Sequence, residues 1–223
     1  MSVVILGARA NGHASVVLDI LDAQRIEVAG FLDDDPAKWG QVIRRRPVIG
    51  GVERLAELRE RLGVTGAIGA VASNAQRRAW VQMIRQAGLD PINAIHPTAH
   101  LAPDVSLGAG VCICPGVIVM PGARLGDAVT LYTAATVDHD CVLEDGVNLS
   151  PGVHTAGRVH LEQDVFVGIG AVFIPDVRVG AGAIVGAGAV VIRDVAAGDV
   201  VAGVPAHSIK KGNCSPCRPI WTG

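Results

Sequence analysis

The chain has 223 residues, a formal net charge of -2 and 18% charged residues, enough for one or two domains with a sizeable buried core. Such a balance excludes a phosphate-tracking surface of the nucleic-acid-binding kind, since Arg44, Arg45 and Arg46 are the one basic cluster and are too short for it. Aromatic residues make up 3% against 28 glycines, so the core must be filled by Val, Ile, Leu and Ala in thin, regular layers.

In chain order, Met1 leads straight into the apolar run Val3 to Leu6 without a basic leader, which predicts a first strand in a cytoplasmic protein. No stretch approaches the roughly 20 apolar residues of a membrane span. Ala14 to Ala23 reads as a helix whose apolar residues are Val16, Val17, Ile20 and Leu21, and Val28 to Leu32 as a second strand. Val52 to Leu62 reads as helix, Thr65 to Val71 as strand, and Gln76 to Ala87 as helix. Strands alternating with helices predict a small parallel α/β sheet, with a ligand at the carboxyl ends of its strands. Gly7 to His13 follows the first strand and opens the first helix, the context of a phosphate-cradling loop, but lacks the spacing of a full dinucleotide fingerprint.

From Ile95 the period changes to six. Every sixth residue up to Val191 is Ile, Leu or Val except Thr155 and Phe173, which gives seventeen positions in one register. Four residues after each comes a small apolar residue, from Ala99 to Val195, with Cys141 among them. One large and one small inward residue per six is a solenoid code, with Pro-Gly pairs such as Pro121-Gly122 filling the corners.

One turn breaks the pattern. Asp138-His139-Asp140 replaces the usual Gly, Pro and Ala, placing an imidazole on the outer surface. A base working near neutral pH suits His, and an adjacent carboxylate orients the ring. Cys141 occupies an inward position, which makes it a poor nucleophile. The five cysteines are an odd count and read as reduced thiols; Cys214 and Cys217 form a lone CxxC that would need two further ligands to hold a metal.

The repeat resembles the left-handed parallel β-helix of hexapeptide-repeat acyltransferases, and Asp138 to Gly157 is similar to the motif around the base of PglD/NeuD-like sugar acetyltransferases. That resemblance implies a Rossmann-like α/β domain over 1–91, a left-handed β-helix over 92–209 and a tail over 210–223. It also implies a homotrimer with active sites in clefts between subunits, acetyl-CoA as co-substrate, no metal, and a nucleotide-linked amino sugar as acceptor. His139 is implied as general base and Asp140 as the carboxylate that raises its basicity. Gly157 would offer its N–H to the acetyl carbonyl, Asn148 would contact acetyl-CoA, and Ile169 and Ala187 would line the pantetheine arm. Asn11, Gly12 and His13 would lie near the diphosphate or sugar, and Asp33 and Asp34 near the nucleobase or ribose. Ala72, where relatives carry glycine, completes the substrate set. Asn148 and Tyr132 depart from the family's His and Asn.

Four other readings compete. A γ-type carbonic anhydrase would need His139, His154 and His160 on zinc, yet His139 is third in its hexad and the other two are sixth. An O-acetyltransferase acting on a sialic acid or another hydroxylated sugar shares fold, base and co-substrate, and no residue selects nitrogen over oxygen. A non-catalytic sugar-nucleotide sensor would be expected to lack His139. A bare scaffold would lack the polar turn.

Overall fold

The computed structural model describes residues 2–9 and 12–211. One compact unit runs up to Pro97 and takes in Ala109–Cys112; the other comprises Thr98–Gly108 and the chain from Ile113 onward.

The first unit is α/β. Strand β1 (Ser2–Leu6) is apolar after Ser2, and Val3 to Leu6 are fully buried, as a strand covered on both faces must be. Helix α1 (His13–Ala23) returns the chain to β2 (Glu27–Leu32), and α1 buries Val17, Leu18, Ile20 and Leu21. Val16, expected on the buried stripe, faces outward instead, and Leu18 takes its place. A hairpin of β3 (Val42–Ile43) and β4 (Arg46–Gly50) follows. No periodicity marks it, because three arginines, a proline and two glycines read as a loop. Residues 52–62 begin as a short 3-10 turn and become helix α2 (Leu55–Leu62), which ends at left-handed Gly63. Strand β5 (Val64–Gly69), helix α3 (Asn74–Gln86) and β6 (Asp90–Pro91) complete the unit, and the Ser73 hydroxyl caps α3 by accepting from the Gln76 N–H.

Among the described residues these strands form one sheet in the order β3-β4-β2-β1-β5-β6, parallel except for the β3–β4 pair. Because β2 and β5 flank β1 on opposite sides, the topological switch lies at the carboxyl end of β1.

The second unit, with the first hexads, is a left-handed parallel β-helix. Each hexad from Ile95 to Val191 contributes a two-residue strand whose second member is the large aliphatic or its substitute, seventeen strands among the described residues. Register runs i to i+18, as in Ile118, Thr136, His154 and Val172, so three hexads close one triangular coil. We number the faces by their strands: first (Thr130–Leu131, Asn148–Leu149, Phe166–Val167), second (Thr136–Val137, His154–Thr155, Val172–Phe173) and third (Val142–Leu143, His160–Leu161, Arg178–Val179). The large residues from Ile113 to Val191 and the small ones from Val111 to Ala189 are all buried. Burying two side chains per six residues is what holds each coil on the next. The third residue after each large one has positive φ from Gly110 to Gly188, and Ala128, Ala134, Asp140, Arg158, Asp164 and Asp176 adopt it without being glycine.

The rhythm ends after Val191. Val195, expected at a small-residue corner position, pairs with Val179, and Val200 pairs with Ile184, so the last coil is two residues short. An antiparallel strand, His207–Lys210, then closes that face.

Candidate active site

The corner between the second and third faces carries the polar turn. Coil by coil it stacks Pro121-Gly122, His139-Asp140, Gly157-Arg158 and Pro175-Asp176, each eighteen residues after the last. The His139 Nδ1 lies 2.8 Å from Asp140 Oδ2. An ionised carboxylate only accepts, so Nδ1 carries the proton and Nε2 is left as the basic nitrogen. The imidazole lies against Gly157, where a Cβ would sit 2.4 Å from Nε2, and Gly122 leaves equal room for the Asp140 carboxylate one coil below. Small residues above and below are therefore what lets a His-Asp turn fit a stack built at one coil spacing. Backbone bonds fix the turn: Asp140 N–H donates to Pro121 O at 3.0 Å, and Arg158 N–H to His139 O at 2.9 Å. The Gly157 N–H has no acceptor among the described residues.

Arg158 was not singled out in the sequence, and the eighteen-residue offset is the signal that finds it. It lies in one column with Asp140 and Asp176 and makes two bonds to Asp176, at 2.6 and 2.8 Å. Those bonds hold the Asp176 carboxyl below its usual range.

Ile169 and Ala187 are not beside His139. They stack on one another at the corner between the first and second faces, a face width away, on the order of 15–20 Å at ~3.3 Å per residue. Asn148 stands on the first face, is buried, and its Oδ1 has no hydrogen-bond partner among the described residues. Exposed Ile118, Met120, Ile174 and Ile169 line the second face and its two corners. His154 and His160 lie on the second and third faces, so these two rings and His139 point in different directions. No group of His, Cys, Asp or Glu among the described residues is placed to hold a metal ion.

A second set of residues gathers at the switch point of the sheet. Gly7 N–H donates to Leu32 O and Ala70 N–H to Leu6 O, both at 2.7 Å, which brings the ends of β1, β2 and β5 together. Asp33 is buried there, but its carboxylate is already engaged: Ala8 N–H at 2.7 Å, Asp35 N–H at 3.0 Å and Lys38 Nζ at 2.9 Å. Burial works against its charge, yet the Lys38 ammonium and the two N–H groups outweigh it and hold the carboxyl below its usual range. Asp33 thus ties the loop after β1 to the loop after β2, while Asp34 is open to solvent. Lys38 and Trp39, whose indole N–H donates to Asp33 O at 2.8 Å, were missed in the sequence.

His13 begins α1, and Gly12 is its N-cap. Burial first, and the Arg77 charge second, push the His13 pKa down to about 3, so the ring is neutral at ordinary pH. Arg77 is itself buried, donating to Val71 O at 2.9 Å and Ala72 O at 3.0 Å. Its place in the stripe with Trp80, Val81 and Ile84 was the sequence signal. Asn11, Cys214 and Cys217 lie outside the described residues. No helix among the described residues is long and apolar enough to cross a membrane.

A triangular prism of hexads with a His-Asp turn at its corner, joined to a parallel α/β domain, defines a hexapeptide-repeat acyltransferase. Residues 2–84 match the PglD N-terminal domain, and residues 158–193 the bacterial transferase hexapeptide of six repeats. The chain belongs to the PglD family of hexapeptide-repeat acetyltransferases, as its likeness over nearly full length to a solved member shows. That member is perosamine N-acetyltransferase from Caulobacter crescentus, solved as a histidine-to-asparagine variant with CoA and GDP-perosamine. It is 38% identical, with a TM-score of 0.89 over 96% of this chain and 98% of that one. The acetyltransferase domain of PglB from Neisseria gonorrhoeae, solved with acetyl coenzyme A, is 33% identical, with a TM-score of 0.85 over 93% and 98%. A 2,3,4,5-tetrahydropyridine-2,6-dicarboxylate N-acetyltransferase from Staphylococcus aureus is 49% identical over 59 residues, 26% of this chain. The match spans 25% of the length of that curated relative.

Proposed function

We propose that this protein transfers an acetyl group from acetyl-CoA to the amino group of a nucleotide-linked amino sugar. A GDP-linked sugar is favoured over a UDP-linked one because the Caulobacter crescentus relative binds GDP-perosamine. One observation carries the reading: an imidazole whose Nδ1 is held by Asp140 and whose Nε2 lies against Gly157, beside an N–H without an acceptor among the described residues.

The chemistry follows from those atoms. The sugar amine attacks the thioester carbonyl carbon, and His139 Nε2 takes the proton as the nitrogen becomes acylated. Asp140 stabilises the imidazolium, and the Gly157 N–H stabilises the oxyanion. Collapse of the tetrahedral intermediate expels the CoA thiolate, which recovers the proton as CoA-SH. No acetyl-enzyme forms.

Residues 92–209 carry this step in the proposal, and residues 1–91 hold the nucleotide sugar through Asn11, Gly12, His13, Asp34 and Ala72. Asp33 acts by fixing the loop. Ile169 and Ala187 sit one corner away from His139, so a site that uses both corners draws them from two copies. This supports a homotrimer, as do the exposed Ile118, Met120 and Ile174 on the second face and its corner. Asn148 Oδ1, unmatched among the described residues, is assigned to the acetyl-CoA contacts. Acetyl-CoA and sugar nucleotides are cytoplasmic metabolites, which supports a cytoplasmic enzyme feeding surface-polysaccharide or glycan synthesis.

The test is release of CoA from acetyl-CoA with GDP- and UDP-linked amino sugars. His139→Ala lowers kcat by roughly 10²-fold or more, with KM for both substrates little changed. Undiminished turnover in that variant removes His139 from the mechanism.

A further inference from the structure

Behind the His139 turn, inside the prism, lie two polar groups that the mechanism above does not use. Thr155 is the one hydroxyl among seventeen large inward positions, and it stacks in register on Val137, the residue that leads into the turn. Its Oγ1 accepts the Asp138 N–H at 3.3 Å and donates to Thr136 O at 3.4 Å. Cys141 fills the small inward position and is fully buried; its Sγ donates to Ala156 O at 3.2 Å and touches Thr155 Oγ1 at 3.6 Å.

The Ala156 carbonyl is the informative acceptor. At many corners the fourth residue of the turn closes onto the carbonyl of the first, as Val153 N–H does on Ser150 O, Val165 on Glu162 and Ala171 on Gly168. At the His139 corner Met120, Asp138, Ala156 and Ile174 O receive no backbone N–H among the described residues, and of these Ala156 O is the one that meets the Cys141 thiol. Ala156 C=O and Gly157 N–H belong to one trans peptide unit, so they point to opposite sides. Holding the carbonyl on the buried sulfur turns the N–H away from the interior. Burial pushes the Cys141 thiol pKa up, which keeps it a protonated donor.

We propose that Cys141 and Thr155 are positioning residues: the thiol aims the Gly157 N–H at the acetyl carbonyl, and the hydroxyl fixes the backbone from which His139 projects. The inference rests on Gly157 and His139 having the roles given above.

Cys141→Ala is the direct test, since Ala123, Ala135 and Ala171 already fill equivalent positions. It lowers kcat about tenfold, a fraction of the ~10²–10³ that loss of an oxyanion donor costs. KM for acetyl-CoA and for the nucleotide sugar stays within about twofold, and the pH profile is unmoved because the His139–Asp140 pair is intact. Cys141→Ser restores part of the loss. Thr155→Val lowers kcat in the same way, Thr155→Ser restores it, and this pair carries the test if Cys141→Ala does not fold. Full turnover in both Cys141→Ala and Thr155→Val overturns the proposal, as does a loss that appears in KM alone. His139→Ala assayed alongside separates the readings. Turnover retained there overturns the site itself, whereas turnover lost there and kept in both inner variants overturns the positioning role alone.

Discussion

In the proposed mechanism His139 gains its reactivity from its neighbours one residue and one coil away. Asp140 fixes which nitrogen is basic, and Gly157 gives the ring its place. Gly157 does not have positive φ, so its requirement is space rather than backbone freedom. Gly157→Ala therefore displaces the imidazole and lowers kcat by about 10²-fold while the melting temperature stays near that of the wild type; turnover close to wild type in a folded Gly157→Ala protein contradicts this packing. The turn itself was legible, because Asp-His-Asp interrupts a strict repeat. The ring's contact with a residue eighteen positions on was legible only once three hexads were known to close a coil. Asp33 shows the opposite case: its position pointed to the nucleotide, but the partners that occupy its carboxylate, Ala8 N–H and Lys38, come from tertiary structure that a linear motif does not contain.

His13 supplies a pH prediction at the same scale. Its pKa is about 3 in the folded protein against 6.5 for the free side chain, so between those values the unfolded chain binds the extra proton. Stability is complete above pH ~6.5 and falls as the pH drops toward ~3, by about 2 kcal/mol between pH 7 and pH 5. Urea denaturation at pH 7 and pH 5 measures the loss, and His13→Gln flattens it. An equal loss in that variant assigns the slope to other groups.

At the scale of elements, the β-helix was readable because its code is local. The large residues are buried from Ile113 to Val191, whereas Ile95, Leu101 and Leu107, at the open end of the stack, are half-buried. Truncating one inside the stack, Leu149→Ala, costs about 2–5 kcal/mol, whereas an exposed strand position such as Ser106→Ala stays within about 0.5 kcal/mol. Chemical denaturation of the two variants tests the inward and outward assignment; similar costs contradict it. The code fails where the coil length changes. Val195 keeps an apolar side chain but moves to the position above Val179, because a chain leaving the stack no longer has to match a following coil. In the α/β unit, alternation located β1, β2, β5 and all three helices to within a few residues. It missed β4, whose Pro47 sits in a parallel strand next to the edge and whose register comes from β2.

The whole molecule poses the question that a single prism leaves open. The proposed base and oxyanion donor share one corner, the residues assigned to the pantetheine arm share the next, and the second face, with exposed Ile118, lies between. If acetyl transfer uses both corners, one copy supplies His139 and Gly157 and a second supplies Ile169 and Ala187. Mixing two inactive variants tests this directly: His139→Ala, which removes the base, and Ala187→Trp, which blocks the proposed thioester channel. Each is inactive by itself with both substrates saturating. Co-folded in equal amounts, they are predicted to recover about a quarter of wild-type kcat, the share of random pairings in which both corners of one site are intact. No recovery from mixed assemblies of confirmed composition would contradict the account.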